Sequence, residues 1–115
     1  MPAVQHLQVT LRLKWLKKDE YTAKVITQVL DTCYKLDRID LGLPPGIMPL
    51  KDHVYILADF THKGRGCGHV VHNVSPEIVV THSVGKRFVT VFVRVNGKVG
   101  GFDWREFPRR VGNGK

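Results

Sequence analysis

Between Thr61 and Asn73 the chain reads THKGRGCGHVVHN, and four side chains of the kind that hold metal fall within it: His62, Cys67, His69 and His72. The intervening glycines would let the backbone wrap a tetrahedral ion, and zinc is the ion such ligands suit. The spacing lacks the paired cysteines of a zinc knuckle or finger. No metal or other cofactor is therefore favoured, and His62, Cys67, His69 and His72 stand as the set zinc would use if it binds. Histidines in a basic glycine loop more simply face solvent or phosphate.

A second arrangement needs no metal. Cleavage of RNA requires a base near the 2′-hydroxyl, an acid near the leaving oxygen and a cation on the phosphate. Histidine titrates near neutrality and suits both proton-transfer roles. His69, His72 and His82 are the candidate catalytic residues, with Lys86 or Arg87 as the cation and Ser83, Thr81 or Thr90 as phosphate donors. A third arrangement binds without reacting. Phe88 and Phe92 lie four residues apart in KRFVTVFVR, two steps along one face of a strand, with Arg87, Arg94 and Arg105 nearby. Aromatic rings on a sheet beside arginines form a platform on which unpaired bases stack.

Charge favours the binding reading. Residues 1–60 carry 8 Lys and Arg against 7 Asp and Glu, whereas residues 61–115 carry 10 against 3. Such asymmetry implies a polyanionic partner on one part of the molecule. The residues expected to meet it are Lys63, Arg65, Lys86, Arg87, Phe88, Arg94, Arg105, Arg109 and Arg110. No phosphate-binding glycine loop of the GxxxxGK[ST] type and no nucleophile elbow is present. No apolar run approaches the roughly 20 residues that span a bilayer. The N-terminus lacks a charged-then-apolar leader pattern, so a soluble, intracellular protein without membrane association is expected. Cys33 and Cys67 form no framework of spacings and are expected as reduced thiols.

The elements that would position these groups follow from hydrophobic period. Val4 to Trp15 alternates, with Leu7, Val9, Leu11, Leu13 and Trp15 to one side, and predicts a half-buried strand. Asp19 is placed to cap a helix, and Val25, Ile26, Val29, Leu30, Cys33 and Leu36 recur at helical spacing. One amphipathic helix is expected there. Asp37 to Lys51 holds three prolines and two glycines and reads as a long loop. His53 to Phe60 is apolar on both faces and reads as a central strand.

The remainder predicts a three-stranded meander. Asn96-Gly97 between two β-rich runs signals a tight hairpin, and Gly85-Lys86 marks a second turn. The resulting register sets Val91 against Phe102, Val89 against Trp104 and His82, Glu77 against Arg94, and Thr81 against Thr90. It places Ile78, Val80, Val89, Val91, Val93, Val95, Phe102 and Trp104 in the core. Phe88 and Phe92 fall on the other face, Phe92 beneath the helix or the long loop.

The expected fold is α+β, one helix on a mainly antiparallel twisted sheet, in the order β-α-β-(β)-β-β-β. A single domain over residues 1–107 precedes a basic flexible tail over 108–115. The expected function is nucleic-acid binding, with RNA or single strands before duplex DNA. A small metal-independent ribonuclease is one alternative. The other is an assembly protein that buries an exposed sheet face against a second copy or another protein.

Overall fold

The computed structural model describes residues 7–107. Within them every regular element is a strand, and the eight strands form two four-stranded sheets. The expected α+β architecture is therefore replaced by a β-sandwich. The segment read as helix is the strand β2 (Glu20–Val29), antiparallel to β1 (Gln8–Lys17). Its burial alternates strictly, with Tyr21, Ala23, Val25 and Val29 inside along with Thr27. Five of its ten residues, Thr22, Val25, Ile26, Thr27 and Val29, are β-branched, three of them consecutive. Such side chains lose rotamer freedom in a helix and pack well on a pleat. Asp19 is a turn residue, not a cap: Lys17 pairs with Glu20 across Lys18-Asp19, and their side chains meet at 3.4 Å.

Beyond a turn at Leu30 to Cys33 the chain crosses to the second sheet as β3 (Tyr34–Leu41). A loop then leads to β4 (His53–His62), which lies centrally as its two apolar faces predicted. The chain returns to the first sheet for β5 (His72–Val74) and β6 (Glu77–Thr81), which pair with opposite halves of β2. It crosses once more to β7 (Phe88–Val95) and β8 (Lys98–Glu106), giving a second sheet ordered β3-β4-β7-β8. β4 and β7 run parallel, and the other pairs are antiparallel.

The meander is half right. Asn96 (φ 51°) and Gly97 (φ 82°) make the expected hairpin turn between β7 and β8. The second turn also exists, with Gly85 at φ 92° and the Lys86 N–H donating to the Ser83 carbonyl. It joins the two sheets instead of two neighbouring strands. β6 thus pairs with β2, setting Val80 against Tyr21, Glu77 against Lys24 and Thr81 against Glu20. The expected partners of β6 on β7 are taken by β4.

A bulge corrects the hairpin as well. Val95 faces Lys98 and Arg94 faces Val99, but Val93 faces Gly101, so Gly100 is an extra residue. From there every side chain of β8 changes face. Phe92 faces Phe102 and Thr90 faces Trp104. Phe102 and Trp104, expected in the core, are 61% and 52% exposed. Gly100 and Gly101 are where β1 closes the sandwich. The Leu7 N–H donates to the Gly100 carbonyl at 2.7 Å, and the Leu11 N–H donates to Asp103 Oδ2 at 2.7 Å.

The core lies between the inner faces. Leu11, Tyr21, Ala23, Val25 and Val29 meet Ile56, Ala58, Phe60, Val89, Val91 and Val93. Each buried valine or leucine contributes about 1.5–3 kcal/mol from its area alone. Among the described residues the Tyr21 hydroxyl has no hydrogen-bond partner, and burial pushes its pKa up to about 12.

The cysteines are joined. Cys33 and Cys67, expected as separate thiols, form a disulfide with a Cα–Cα distance of 5.2 Å. Thr32 brings them together: its N–H donates to the Gly68 carbonyl at 3.0 Å, and its Oγ1 accepts the Gly68 N–H at 2.8 Å. Once Cys33 leaves the imagined helix for a turn, nothing separates it from the glycine loop. The expected tail over 108–115, with Arg109 and Arg110, lies outside the described residues, as do the first residues of the predicted first strand.

Candidate binding face

The outer face of the second sheet is built by alternation and by the bulge together. Phe88, Thr90 and Phe92 point outward from β7 because Val89, Val91 and Val93 point inward. Phe102 and Trp104 join them from β8, and His53 and Tyr55 from β4. His53 lies near-parallel to Phe88 (centroids 5.0 Å apart, planes at 27°) and to Tyr55 (5.8 Å, 16°). Tyr55 is near-parallel to Phe92 at 6.4 Å. Trp104 meets Phe88 edge-on at 5.8 Å, and Phe102 lies 6.1 Å from Phe92.

The proline-rich loop supplies a wall. Gly46 (φ 86°) allows a turn in which the Ile47 N–H donates to the Pro44 carbonyl, and the Leu50 N–H donates to the Tyr55 hydroxyl at 2.9 Å. Ile47, Met48 and Leu50 then flank the rings, and together they enclose an open groove of about 500 Å³. Met48 is 83% exposed. The loop therefore borders Phe92, as expected, and leaves it accessible where a helix would have covered it.

Cations gather at one end of this groove. The Arg87 guanidinium lies 5.4 Å from the Phe88 ring centre, and 3.6 Å separates it from Glu106. Lys86 reaches across to donate to the Lys51 carbonyl at 2.7 Å. The backbone N–H groups of Arg87 and Phe88 both donate to the Asp52 carbonyl, which holds the three basic residues together. The Asp52 side chain pairs with His53 at 2.8 Å, and that bond holds its carboxyl below the usual range. Lys51, His53, Tyr55, Phe102 and Trp104 were absent from the sequence-derived site. The parallel pairing of β4 with β7 is what recruits the first three, and no local signal announces it.

The other expected cations are elsewhere. Arg94 lies on the same outer face at the far end, bound to Asp59 through Nε at 2.7 Å and Nη2 at 3.0 Å. Those bonds depress the Asp59 carboxyl, with Arg38 adding to the effect, and raise the guanidinium in turn. Arg105 faces Val89 and so points to the opposite side of β8 from Trp104, where it pairs with Asp103 at 3.3 Å. Lys63 and Arg65 follow the far end of β4, roughly 30 Å along a ten-residue strand from His53.

The histidines are dispersed too. His72 pairs with Val29 at one end of β2, while the His82 N–H donates to the Asp19 carbonyl beyond the other end. A strand of that length sets them roughly 30 Å apart. His82 is not beside Val89 and Trp104; its ring packs on Trp15 and Phe107 with centroids at 5.2 and 4.8 Å. His69 and His72 are exposed. Of the four residues in the expected zinc set, His62 and Cys67 come together, joined by Asp31 and Cys33 in place of His69 and His72.

Among the described residues, no helix is long and apolar enough to cross a membrane. No known protein family, characterised protein or solved structure matches the chain.

Proposed function

We propose that the chain binds single-stranded nucleic acid, RNA before DNA, on the outer face of β4, β7 and β8. The observation that carries this reading is the row of solvent-facing rings, His53, Tyr55, Phe88, Phe92, Phe102 and Trp104, that ends at Lys51, Lys86 and Arg87. Every base has a π-face, so stacking on such rings binds unpaired strands with little sequence preference. The cations meet the backbone where the first base leaves the platform. Duplexes are disfavoured because their bases are already stacked on one another. His82 lies at the opposite end of β2 from His72, and His69, His72 and His82 are not among the residues that line the groove, so we take the reading to be binding alone.

The test is a salt titration of affinity for a fluorescent single-stranded RNA. Trp104→Ala should weaken binding by about 1–3 kcal/mol and leave the salt slope unchanged. Replacing Lys51, Lys86 and Arg87 together by Gln should flatten the slope of log affinity against log salt by roughly two units, at about 0.7 per contact. Arg12→Gln and Lys14→Gln, on the outer face of the first sheet, should change neither. A folded protein with no salt-sensitive affinity for any single strand overturns the reading.

One observation favours a second reading. Met48, Leu50, Phe102 and Trp104 form a contiguous exposed apolar patch, the kind of surface that also marks assembly interfaces. Burial of this groove against a protein partner or a second copy predicts concentration-dependent sedimentation that Met48→Lys abolishes, with no dependence on RNA.

A further inference from the structure

The cluster around the disulfide holds more donors than a disulfide needs. Asp31, Cys33, His62 and Cys67 each present a ligand atom, and all four atoms lie within 4.8 Å of one another. Cys33 is buried and the other three are half-buried. They arrive from three places in the fold: the turn after β2, the last residue of β4 and the glycine loop. We propose that the reduced protein binds one zinc ion here, on two thiolates, the His62 imidazole and the Asp31 carboxylate, and that disulfide formation expels it.

The chemistry of the set fits zinc. Two soft sulfurs, one imidazole and one carboxylate complete a tetrahedron with bonds of about 2.0–2.3 Å, which sets neighbouring donors roughly 3.3–3.8 Å apart. The present spread of the four atoms is within reach of that by side-chain rotation. The 5.2 Å between the two cysteine Cα atoms is a distance across which both side chains reach one ion. The loop is already folded onto the site by the Thr32–Gly68 pair and by the Lys63 N–H, which donates to the Cys33 carbonyl. The Tyr34 ring covers His62 at 4.5 Å.

In the disulfide form His62 Nδ1 accepts the Gly64 N–H at 3.0 Å, so the neutral ring carries its proton on Nε2 and donates it to Asp31 at 3.1 Å. Asp31 Oδ1 also accepts the Cys33 N–H. Metal on Nε2 moves the ring proton to Nδ1 and breaks the bond to Gly64. Gly64 and Gly66 both have positive φ and open space around them, so this loop can give way.

The redox step balances with a dithiol as reductant. The disulfide accepts two electrons and two protons from the dithiol, which becomes a cyclic disulfide. The two thiols then release two protons as zinc binds. In the reverse direction hydrogen peroxide takes two electrons from the zinc-bound thiolates and, with two protons, becomes two waters. The sulfurs join and zinc leaves.

The experiment uses the full chain, fully reduced by a dithiol and desalted without oxygen, titrated with Zn²⁺ and in parallel with Co²⁺. The result expected is one equivalent of zinc on the reduced chain and none at this affinity on the oxidised chain. Cobalt should show the visible bands of a tetrahedral site with thiolate charge transfer, and one equivalent of peroxide should release one zinc. Asp31→Asn and His62→Gln should each weaken binding by at least about tenfold, as ligand losses do at minimum, while His69→Gln and His72→Gln leave it unchanged. Nitrogen NMR should show the His62 tautomer switch, a readout that needs no mutation. Octahedral cobalt without thiolate charge transfer, no stoichiometric uptake by the reduced chain, or equal effects from His69 and His72 would each overturn the proposal.

Discussion

A methyl group on Gly101 would lie 2.7 Å from the Leu7 carbonyl oxygen and 2.8 Å from Val9 Cγ2. Neither neighbour can retreat easily, because the Leu7 N–H is bound to the adjacent Gly100 carbonyl. Gly101→Ala should therefore lower stability by about 1–3 kcal/mol as an overpacked contact does. Gly42→Ala is the control, since its added carbon meets only Leu57 at 3.8 Å. Thermal melting of the two variants checks this, and equal midpoints would mean that β1 yields to the extra carbon. Asp59 supplies a second prediction at this scale. Its carboxyl is held below the usual range by Arg94 first and Arg38 second, so folding favours its ionised form. That contribution is complete above the ordinary carboxylate pKa near 4 and is lost as pH falls through the lower folded value. Asp59→Asn should cost about 1–3 kcal/mol at neutral pH, from the loss of charged hydrogen bonds. The gap between variant and parent should narrow in melts below about pH 4, and a pH-independent gap would remove Asp59 from the acid response.

At the level of elements, the Asn96-Gly97 turn does two jobs. Its backbone turns β7 into β8, and its Asn96 side chain reaches across to β4. There Asn96 Oδ1 accepts the His62 N–H at 3.0 Å, and Nδ2 donates to the His62 carbonyl at 3.3 Å. Asn96→Gly keeps the positive φ and loses those two exposed bonds, so it should cost about 1 kcal/mol. Asn96→Pro cannot adopt φ 51° and also removes the N–H bound to the Phe60 carbonyl, so its cost should be about 3 kcal/mol or more. Chemical denaturation of both variants separates the two roles, and equal losses would show that conformation contributes little. This turn was legible because its signal is local. So were β1 and the central position of β4, from their alternating and doubly apolar patterns. β2 was misread because Val25, Ile26, Val29 and Leu30 satisfy helical spacing by coincidence. The alternation of Tyr21, Ala23, Val25, Thr27 and Val29 and the run of β-branched residues carried the true period. The bulge at Gly100 had only the Gly100-Gly101 pair inside a strand pattern to announce it, and it alone decides whether Phe102 and Trp104 are core or surface.

Across the whole molecule the two sheets divide the labour. The first turns a polar outer face to solvent, with Gln8, Thr10, Arg12, Gln28 and Asn73 lining a shallow hollow. The second turns out its aromatic groove at one end and the Arg38–Asp59–Arg94 cluster at the other. The expected site mixed residues from both ends and both faces of this sheet, because linear proximity in the basic half was taken for proximity in space. Phe88, Lys86 and Arg87 survive as neighbours since they are consecutive. Lys63, Arg65, Arg94 and Arg105 do not: Lys63 and Arg65 follow the far end of β4, Arg94 sits six residues along β7 from Phe88, and the Gly100 bulge turns Arg105 to the other face.

The parallel seam between β4 and β7 also orders events in time. His53 meets Phe88 only after the chain between them has visited the other sheet as β5 and β6. The β1–β2 and β7–β8 hairpins close over short loops and can form early, in about the microseconds that hairpins take. The seam closes a longer loop and should follow them, ahead of the contact of β1 with β8, whose bonded residues Leu11 and Asp103 lie 92 positions apart. The aromatic groove lies across that seam, so the surface proposed to bind should form only after the two hairpins that precede it in time.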